Sequence, residues 1–285
     1  MGEAAVFVEL RRLPEPILSL TAGGIWHQCT VLQVIPQPSL EEQRALVASL
    51  ATVRLRRFRS SVGGAERAAV ELYLLDAQVA SHLHATLRFV EIALRESIHR
   101  ALSGTYGDRW FQSRRDLFDE SFCDDIDDAV AKVGDRAPAG KVVAQLMLGT
   151  WVDLLGRGDR KPDGTKATYA ADLWQAALEP ALPTTSTRPK VHRLALRLNW
   201  ARNRINHCEP VIFGFPQPGI GQGGVQVRRT PHLILEDARE LVEHLDPALA
   251  AWLRRWREID TLLSDPLVAK ALDHVATDAA VNLQR

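Results

Sequence analysis

The chain has 285 residues with 35 basic and 35 acidic side chains, which gives a formal net charge of zero. A balanced charge excludes a globally basic nucleic-acid-binding composition and leaves any basic surface to local segregation. Three widely spaced cysteines, Cys29, Cys123 and Cys208, predict neither a disulfide framework nor a zinc site. The sequence shows no signal segment and no apolar run approaching the roughly 20 residues of a membrane span. We therefore expect a soluble, cytoplasmic protein with no membrane contact, no metal and no cofactor.

The predicted elements divide the chain into three parts. Residues 1–38 form an irregular or extended N-terminal segment, with a short strand predicted at Val6–Leu10. The apolar spacing after residue 38 predicts helices over 39–60, 65–103, 118–133, 141–154, 169–179 and 186–209, and two closing helices between 231 and 263. We predict an all-α bundle over 39–275, with 1–38 as an extension and 276–285 as a C-terminal tail.

Charge is segregated along this neutral chain. From Arg188 to His207 there are six Arg or Lys residues and no Asp or Glu. Basic residues also outnumber acidic ones between Arg54 and Arg115, whereas Asp116–Asp135 is mainly acidic. The folded protein can therefore present a basic face, although a solvated helix surface explains the same pattern.

The predicted helix over 186–209 carries the densest set of polar side chains. Ser186 or Thr187 is expected to cap it, with Pro189 in its first turn and Pro210 just beyond its end. Helical geometry places one charged residue, Arg202, near the middle of the apolar stripe. The stripe itself consists of Val191, Leu194, Ala195, Leu198 and Ile205. A guanidinium in that position requires a partner or a cleft.

A wedge of Asn and His side chains lies beside this stripe. Its members are His192, Asn199, Asn203, Asn206 and His207, with Leu196 the one apolar residue among them. Arg202 and His207 form an R-x4-H pair, in which Arg supplies a planar donor fork for phosphate and His moves a proton near neutral pH. This combination is suited to handling a phosphodiester in a cleft that holds a sugar–phosphate backbone.

Two interpretations of the wedge stay open on helix geometry alone. In the structural one, Arg202 pairs with a buried carboxylate, and the Asn and His side chains satisfy loop backbone. In the functional one, Arg202 and His207 act together. Their side chains project from the same helix about 140° apart. They converge only if the Arg202 side chain bends around the helix or a second copy of the chain supplies one of the two residues.

Several segments in order resemble the Abi-like (abortive infection) family of the HEPN superfamily. These are Ala68–Tyr73, Phe89–Arg95, Tyr106-Gly107 with Trp110, Gly140–Leu146, Gly149–Trp151 and Arg202–Pro210. The resemblance covers about residues 40–265. It implies a HEPN-like helical bundle that pairs as a homodimer, with the R-x4-H motif facing a shared cleft.

The resemblance also implies a function and a set of site residues. Active members cleave RNA without metal, by attack of a ribose 2′-OH on the adjacent phosphate. On this chain Arg202 would bind the phosphate, His207 would transfer the proton and Asn203 would orient one of them. Glu91 and Arg95 would buttress the cleft, and we expect Glu91 to be the partner of Arg202.

The remaining expectations complete this hypothesis. Further contacts to RNA are assigned to Asn199, Asn206, Arg204 and His192. The family association predicts a phage-defence or toxin–antitoxin-type ribonuclease whose partners are RNA, a second copy and an antitoxin or regulatory RNA or protein. The alternative is a HEPN module that binds RNA or a protein partner without cutting it.

Overall fold

A computed structural model describes residues 35–36, 38–50, 52–218 and 227–273. The chain divides into two units, 1–34 and 35–285, and all the described residues lie in the second unit. These residues are mostly helical, which confirms the predicted all-α class. None of their helices combines the length and apolarity needed to cross a bilayer. The strand predicted at Val6–Leu10 and the tail 276–285 lie outside the described residues.

The helices follow one another with short connections. They are α1 (Leu40–Ser49), α2 (Thr52–Ser61), α3 (Glu66–Tyr106), α4 (Trp110–Ser113), α5 (Glu120–Val133), α6 (Ala139–Val143), α7 (Leu148–Leu154), α8 (Glu179–Ala181), α9 (Arg188–Asn206), α10 (Pro231–Leu245), α11 (Pro247–Arg255), α12 (Glu258–Leu263) and α13 (Pro266–Leu272). A 3₁₀ turn at Arg115–Leu117 and a π-helix at Ala170–Leu178 complete the helical segments described. Two-residue strands β1 (Phe215–Pro216) and β2 (Arg228–Arg229) pair antiparallel.

Helix α3 is the central element of the bundle. Its 41 residues span about 60 Å at the usual helical rise. Buried Leu72, Val79, Leu83 and Val90 recur at helical spacing along it, and α2, α7, α9, α10 and α12 pack against it. The helix ends at Gly107, whose φ of 88° is a conformation that glycine adopts without strain. The sequence predicted this helix from 65 to 103, close to its observed bounds.

Helix α9 occupies 188–206, within the predicted 186–209. Pro189 lies in its first turn as expected. Thr187 holds the N-cap position without a side-chain capping bond, whereas the Ser186 hydroxyl is hydrogen-bonded to His244 Nδ1 at 2.9 Å. The expected capping role of these two residues is therefore not used, because Ser186 is buried against α10 instead.

Several predicted helices are divided in the structure. The segment 39–60 begins with a Ser39–Glu42 capping box but becomes α1 and α2. Residues 141–154 divide at Met147, whose extended backbone interrupts the helix. The closing region 231–263 forms three helices instead of the expected two, because the extended residue Trp256 ends α11 and α12 begins at Glu258. The glycine-rich loop predicted at Gln217–Gly224 lies mostly outside the described residues.

Candidate functional site

An open groove of about 370 Å³ runs between α3 and α9. Four polar residues of α3 line it at spacings of four, three and four residues, so they share one face of the helix. These are His84, Arg88, Glu91 and Arg95, and Arg202 of α9 stands opposite them. Leu87 and Ile92 supply the apolar part of the wall. The groove therefore brings Arg202 together with Glu91 and Arg95, the two residues that were expected to buttress its cleft.

Arg202 is held from two sides inside this groove. Its Nε lies 3.7 Å from Glu91 Oε2, and the two side chains are 21% and 25% exposed. With the Asn206 amide oriented to satisfy its neighbours, its oxygen accepts from Arg202 Nη1 at 3.1 Å and Nε at 3.3 Å. Because a guanidinium has five N–H donors, these contacts orient Arg202 and leave further donors for an anion.

The α3 wall, which faces Arg202, adds positive charge to the groove. Arg88 is exposed and forms no ion pair with any described residue, while Arg95 Nε lies 3.1 Å from Glu96 Oε1. The groove lining thus holds three guanidinium groups and one carboxylate, Glu91, while Glu96 beyond the lining pairs with Arg95. Positive charge concentrated in a cleft raises the local concentration of anionic ligands such as phosphates.

His207 lies at the end of α9 and outside this groove. Its backbone occupies the C-cap position, and its exposed imidazole makes no hydrogen bond or ion pair within the described part of the chain. Asn203, one turn earlier, is also exposed, and its carbonyl accepts the His207 N–H at 3.0 Å. Within one copy, Arg202 and His207 therefore do not face one common cavity.

The turn that presents His207 is a Schellman motif. The N–H groups of Cys208 and Glu209 donate to the carbonyls of Ile205 and Arg204, at 2.9 Å and 3.1 Å. Cys208 takes the left-handed position with φ 52°, where glycine is the usual residue. The end of the helix is thus fixed by backbone hydrogen bonds although its sequence carries no glycine there.

Asp76 of α3 anchors the chain that follows this turn. Its Oδ1 accepts the backbone N–H groups of Val211 at 2.6 Å and Ile212 at 2.9 Å. Burial raises the pKa of the Asp76 carboxyl to about 6, against the opposing effect of these N–H groups and Arg204. A buried carboxylate thus holds the loop immediately beyond the R-x4-H motif.

The other predicted contact residues lie elsewhere around α9. Asn199 faces α7, where its Nδ2 is 3.6 Å from the position that a Cβ on Gly149 would occupy. His192 lines a separate cavity of about 320 Å³ together with Asp153, and burial lowers the pKa of its imidazole. Arg204 points toward the loop, where its Nε donates to the Pro210 carbonyl at 2.8 Å and its guanidinium pairs with Glu209. The polar side chains of α9 therefore lie in different surroundings and do not line one common site.

His84 is the groove residue that sequence reasoning missed. It is exposed, forms no hydrogen bond with the described residues and lines both this groove and a larger cavity beside it. Its signal in the sequence is the i, i+4, i+7, i+11 series that it begins with Arg88, Glu91 and Arg95. An imidazole here places a proton-transfer group within the same groove as Arg202.

No protein-family model, curated protein or solved structure matches this chain. Within the described residues, no group of three or more His, Cys, Asp or Glu side chains has the arrangement of a metal site. The polar groups that the groove offers to a ligand are guanidinium, imidazole and carboxylate side chains.

Proposed function

We propose that this chain binds RNA and cleaves it as a metal-independent endoribonuclease. The observation that carries the proposal is the α3–α9 groove, whose lining includes Arg88, Arg95 and Arg202 but one carboxylate, Glu91. Arg202 is oriented by Glu91 and Asn206 yet remains partly exposed, as a phosphate-binding guanidinium must be. The resemblance to the Abi-like family, which includes several of these groove residues, is the reason to propose RNA as the anionic ligand.

In the proposed reaction the ribose 2′-oxygen attacks the adjacent phosphorus. An O2′–P bond forms as the P–O5′ bond breaks, which leaves a cyclic phosphate on one fragment and a 5′-hydroxyl on the other. Arg202 stabilises the negative charge that builds on the phosphoryl oxygens. The 2′-hydroxyl loses its proton and the leaving O5′ gains one; His207 makes one of these two transfers and water makes the other, while Asn203 orients the imidazole.

A homodimer completes the site in this proposal. Arg202 and His207 leave α9 about 140° apart, and the groove that contains Arg202 lacks His207. The exposed His207 of one copy therefore serves the Arg202 groove of the other. In cells we propose a phage-defence or toxin–antitoxin-type role, in which an antitoxin or regulatory RNA or protein holds the nuclease inactive.

A second candidate is an RNA-binding module that does not cut. It is favoured by the ion pair between Arg202 and Glu91 and by the position of His207 outside the groove. In this case the same basic walls bind the phosphate backbone, and the histidine contributes no chemistry.

The test compares RNA cleavage by the wild type and an Arg202→Ala/His207→Ala variant in EDTA. Arg193→Ala is the matched control, because Arg193 is exposed on the same helix and forms no ion pair with the described residues. Circular dichroism of all three proteins checks that they fold. Cleavage by the wild type and the control, with cyclic-phosphate ends, supports the nuclease. RNA binding without cleavage supports the second candidate.

A further inference from the structure

A second and larger cavity of about 680 Å³ adjoins the α3–α9 groove. It lies between α2, α3 and the turn that ends α9, and His84 is common to both cavities. Arg88 of the groove and Ala80 of the cavity are eight residues apart on α3, a rise of about 12 Å. One extended strand of a few nucleotides is long enough to occupy both.

Two arginines of α2 contribute positive charge to this cavity. Arg54 and Arg57 are exposed and form no ion pair with a described residue. Arg54 Nη1 donates to the Cys208 carbonyl at 2.9 Å, and the Arg57 guanidinium lies 4.2 Å from the centre of the Phe213 ring. Both side chains are thus positioned near the cavity while their charge stays available.

The acids of the cavity are already engaged. Glu209 pairs with Arg204, and Asp76 accepts two backbone N–H groups. Although Arg57 is exposed as a residue, its guanidinium is partly desolvated, and this burial, followed by the nearby charge of Arg204, lowers its pKa. Burial, followed by Arg57 and Arg204, lowers the pKa of the neighbouring Arg228 to about 10. An anion bound among these groups would relieve their mutual repulsion.

Much of the remaining lining is apolar, and the cavity is large enough for a nucleobase. Val53, Tyr73, Ile205 and Pro210 contribute to the wall. A cavity of several hundred Å³ that combines an apolar wall with a few charged groups is typical of a small-molecule site. The chemistry matches a nucleotide, with its phosphate at the arginines and its base against the apolar side chains.

We propose that this cavity binds one nucleotide of the RNA strand that occupies the α3–α9 groove. This inference rests on the proposed function and narrows its substrate to single-stranded RNA, because a paired and stacked base cannot enter the cavity. Arg54 and Arg57 hold the phosphate, and the Tyr73 side of the cavity receives the base.

The test measures fluorescence anisotropy with a labelled ten-nucleotide RNA carrying 2′-O-methyl groups, which cannot undergo the proposed cleavage. An Arg54→Ala/Arg57→Ala variant is compared with Arg56→Ala, an exposed arginine on another face of α2. We expect the double variant to lose about tenfold in affinity and the control less than twofold. Arg54→Ala alone, which leaves the Arg57–Phe213 contact intact, should lose about threefold.

Equal affinities of the double variant and the control would overturn the cavity proposal, as would equal affinity of the wild type for a duplex of the same sequence. Absence of strand binding by the wild type would overturn it too. Adenosine 5′-monophosphate is the second probe. If binding of adenosine 5′-monophosphate depends on Arg54 and Arg57 while binding of the RNA strand does not, the cavity is a free-nucleotide site. The proposal that it binds a nucleotide of the RNA strand is then wrong. Cleavage of unmodified RNA in EDTA is scored separately, so either proposal can fail alone.

Discussion

Arg202 of α9 and Glu91 of α3 form an ion pair across the two walls of the groove, with Nε and Oε2 3.7 Å apart. The pair joins the R-x4-H helix to the central helix of the bundle. Because both side chains keep about a fifth to a quarter of their surface exposed, the contact orients the guanidinium without enclosing it. A phosphate that enters the groove therefore meets an arginine whose position is already fixed.

The strength of this pair is the first prediction. A double-mutant cycle of Glu91→Ala and Arg202→Ala should give a coupling energy of about 1 kcal/mol or less in urea unfolding, as partly exposed pairs do. A purely structural buried pair would instead cost about 3–5 kcal/mol on losing one partner. A loss of that size from Arg202→Ala would identify Arg202 as a structural residue and weaken the functional interpretation.

The second prediction concerns the salt dependence of RNA binding. If Arg202 contacts one phosphate, Arg202→Ala should lower the slope of log K against log salt by about 0.7 on single-stranded RNA. Arg202→Lys should keep the slope and lose affinity, because an ammonium lacks the planar fork. Arg193→Ala, on the exposed face of α9, should leave both quantities unchanged. An equal effect of Arg193→Ala would indicate a diffuse basic surface.

The third prediction concerns the left-handed Cys208. Cys208→Gly should raise the free energy of unfolding by about 0.5–1 kcal/mol, because glycine adopts this φ without steric cost but loses more chain entropy. Cys208→Ser is the control, since it removes the thiol and keeps the strained Cβ. Thermal unfolding of the two variants separates these effects. Equal stabilities would mean that the conformation at 208 is not strained.

The fourth prediction concerns Asp76 and pH. Its folded pKa of about 6 lies above the ordinary aspartate value of 3.8, so the folded state binds the extra proton in the interval between them. The stabilisation is fully present below the unfolded pKa and is lost as pH rises through about 6, with a total of up to about 3 kcal/mol. Asp76→Asn keeps an acceptor for the two N–H groups and should remove this dependence.

Urea unfolding between pH 4 and 8 measures the difference between the wild type and Asp76→Asn. Asp128→Asn, an exposed carboxylate on α5, is the control and should follow the wild type. A wild-type stability that rises relative to Asp76→Asn across this interval would contradict the raised pKa.

The main helices were predictable because their apolar residues recur every three or four positions. This spacing gave α3 and α9 nearly their observed bounds and placed Arg202 within the apolar stripe of α9. The breaks at Met147 and Trp256 were missed, since they depend on single extended residues whose neighbours favour helix. Apolar spacing identifies the buried face of a helix, but it does not show where a single residue interrupts that helix.

The candidate site was predictable only in part. Glu91 was expected to be the partner of Arg202, and the structure confirms this contact. The helical projection of α9 also placed His192 and Asn199 beside Arg202. A projection gives the direction of each side chain but not the elements that pack against it. Packing places α7 beside Asn199 and a separate cavity beside His192. His84 was missed because its relation to Arg202 depends on how α3 and α9 pack.

The most direct test of the central claim is complementation between two inactive variants. Arg202→Ala and His207→Ala chains, co-expressed with different tags, are purified as a mixed dimer and assayed for RNA cleavage in EDTA. A site shared between two copies predicts that neither variant cleaves alone and that each mixed dimer regains one intact site, about half of wild-type activity. Wild-type activity in both single variants, or no cleavage by the wild type itself, would contradict the account.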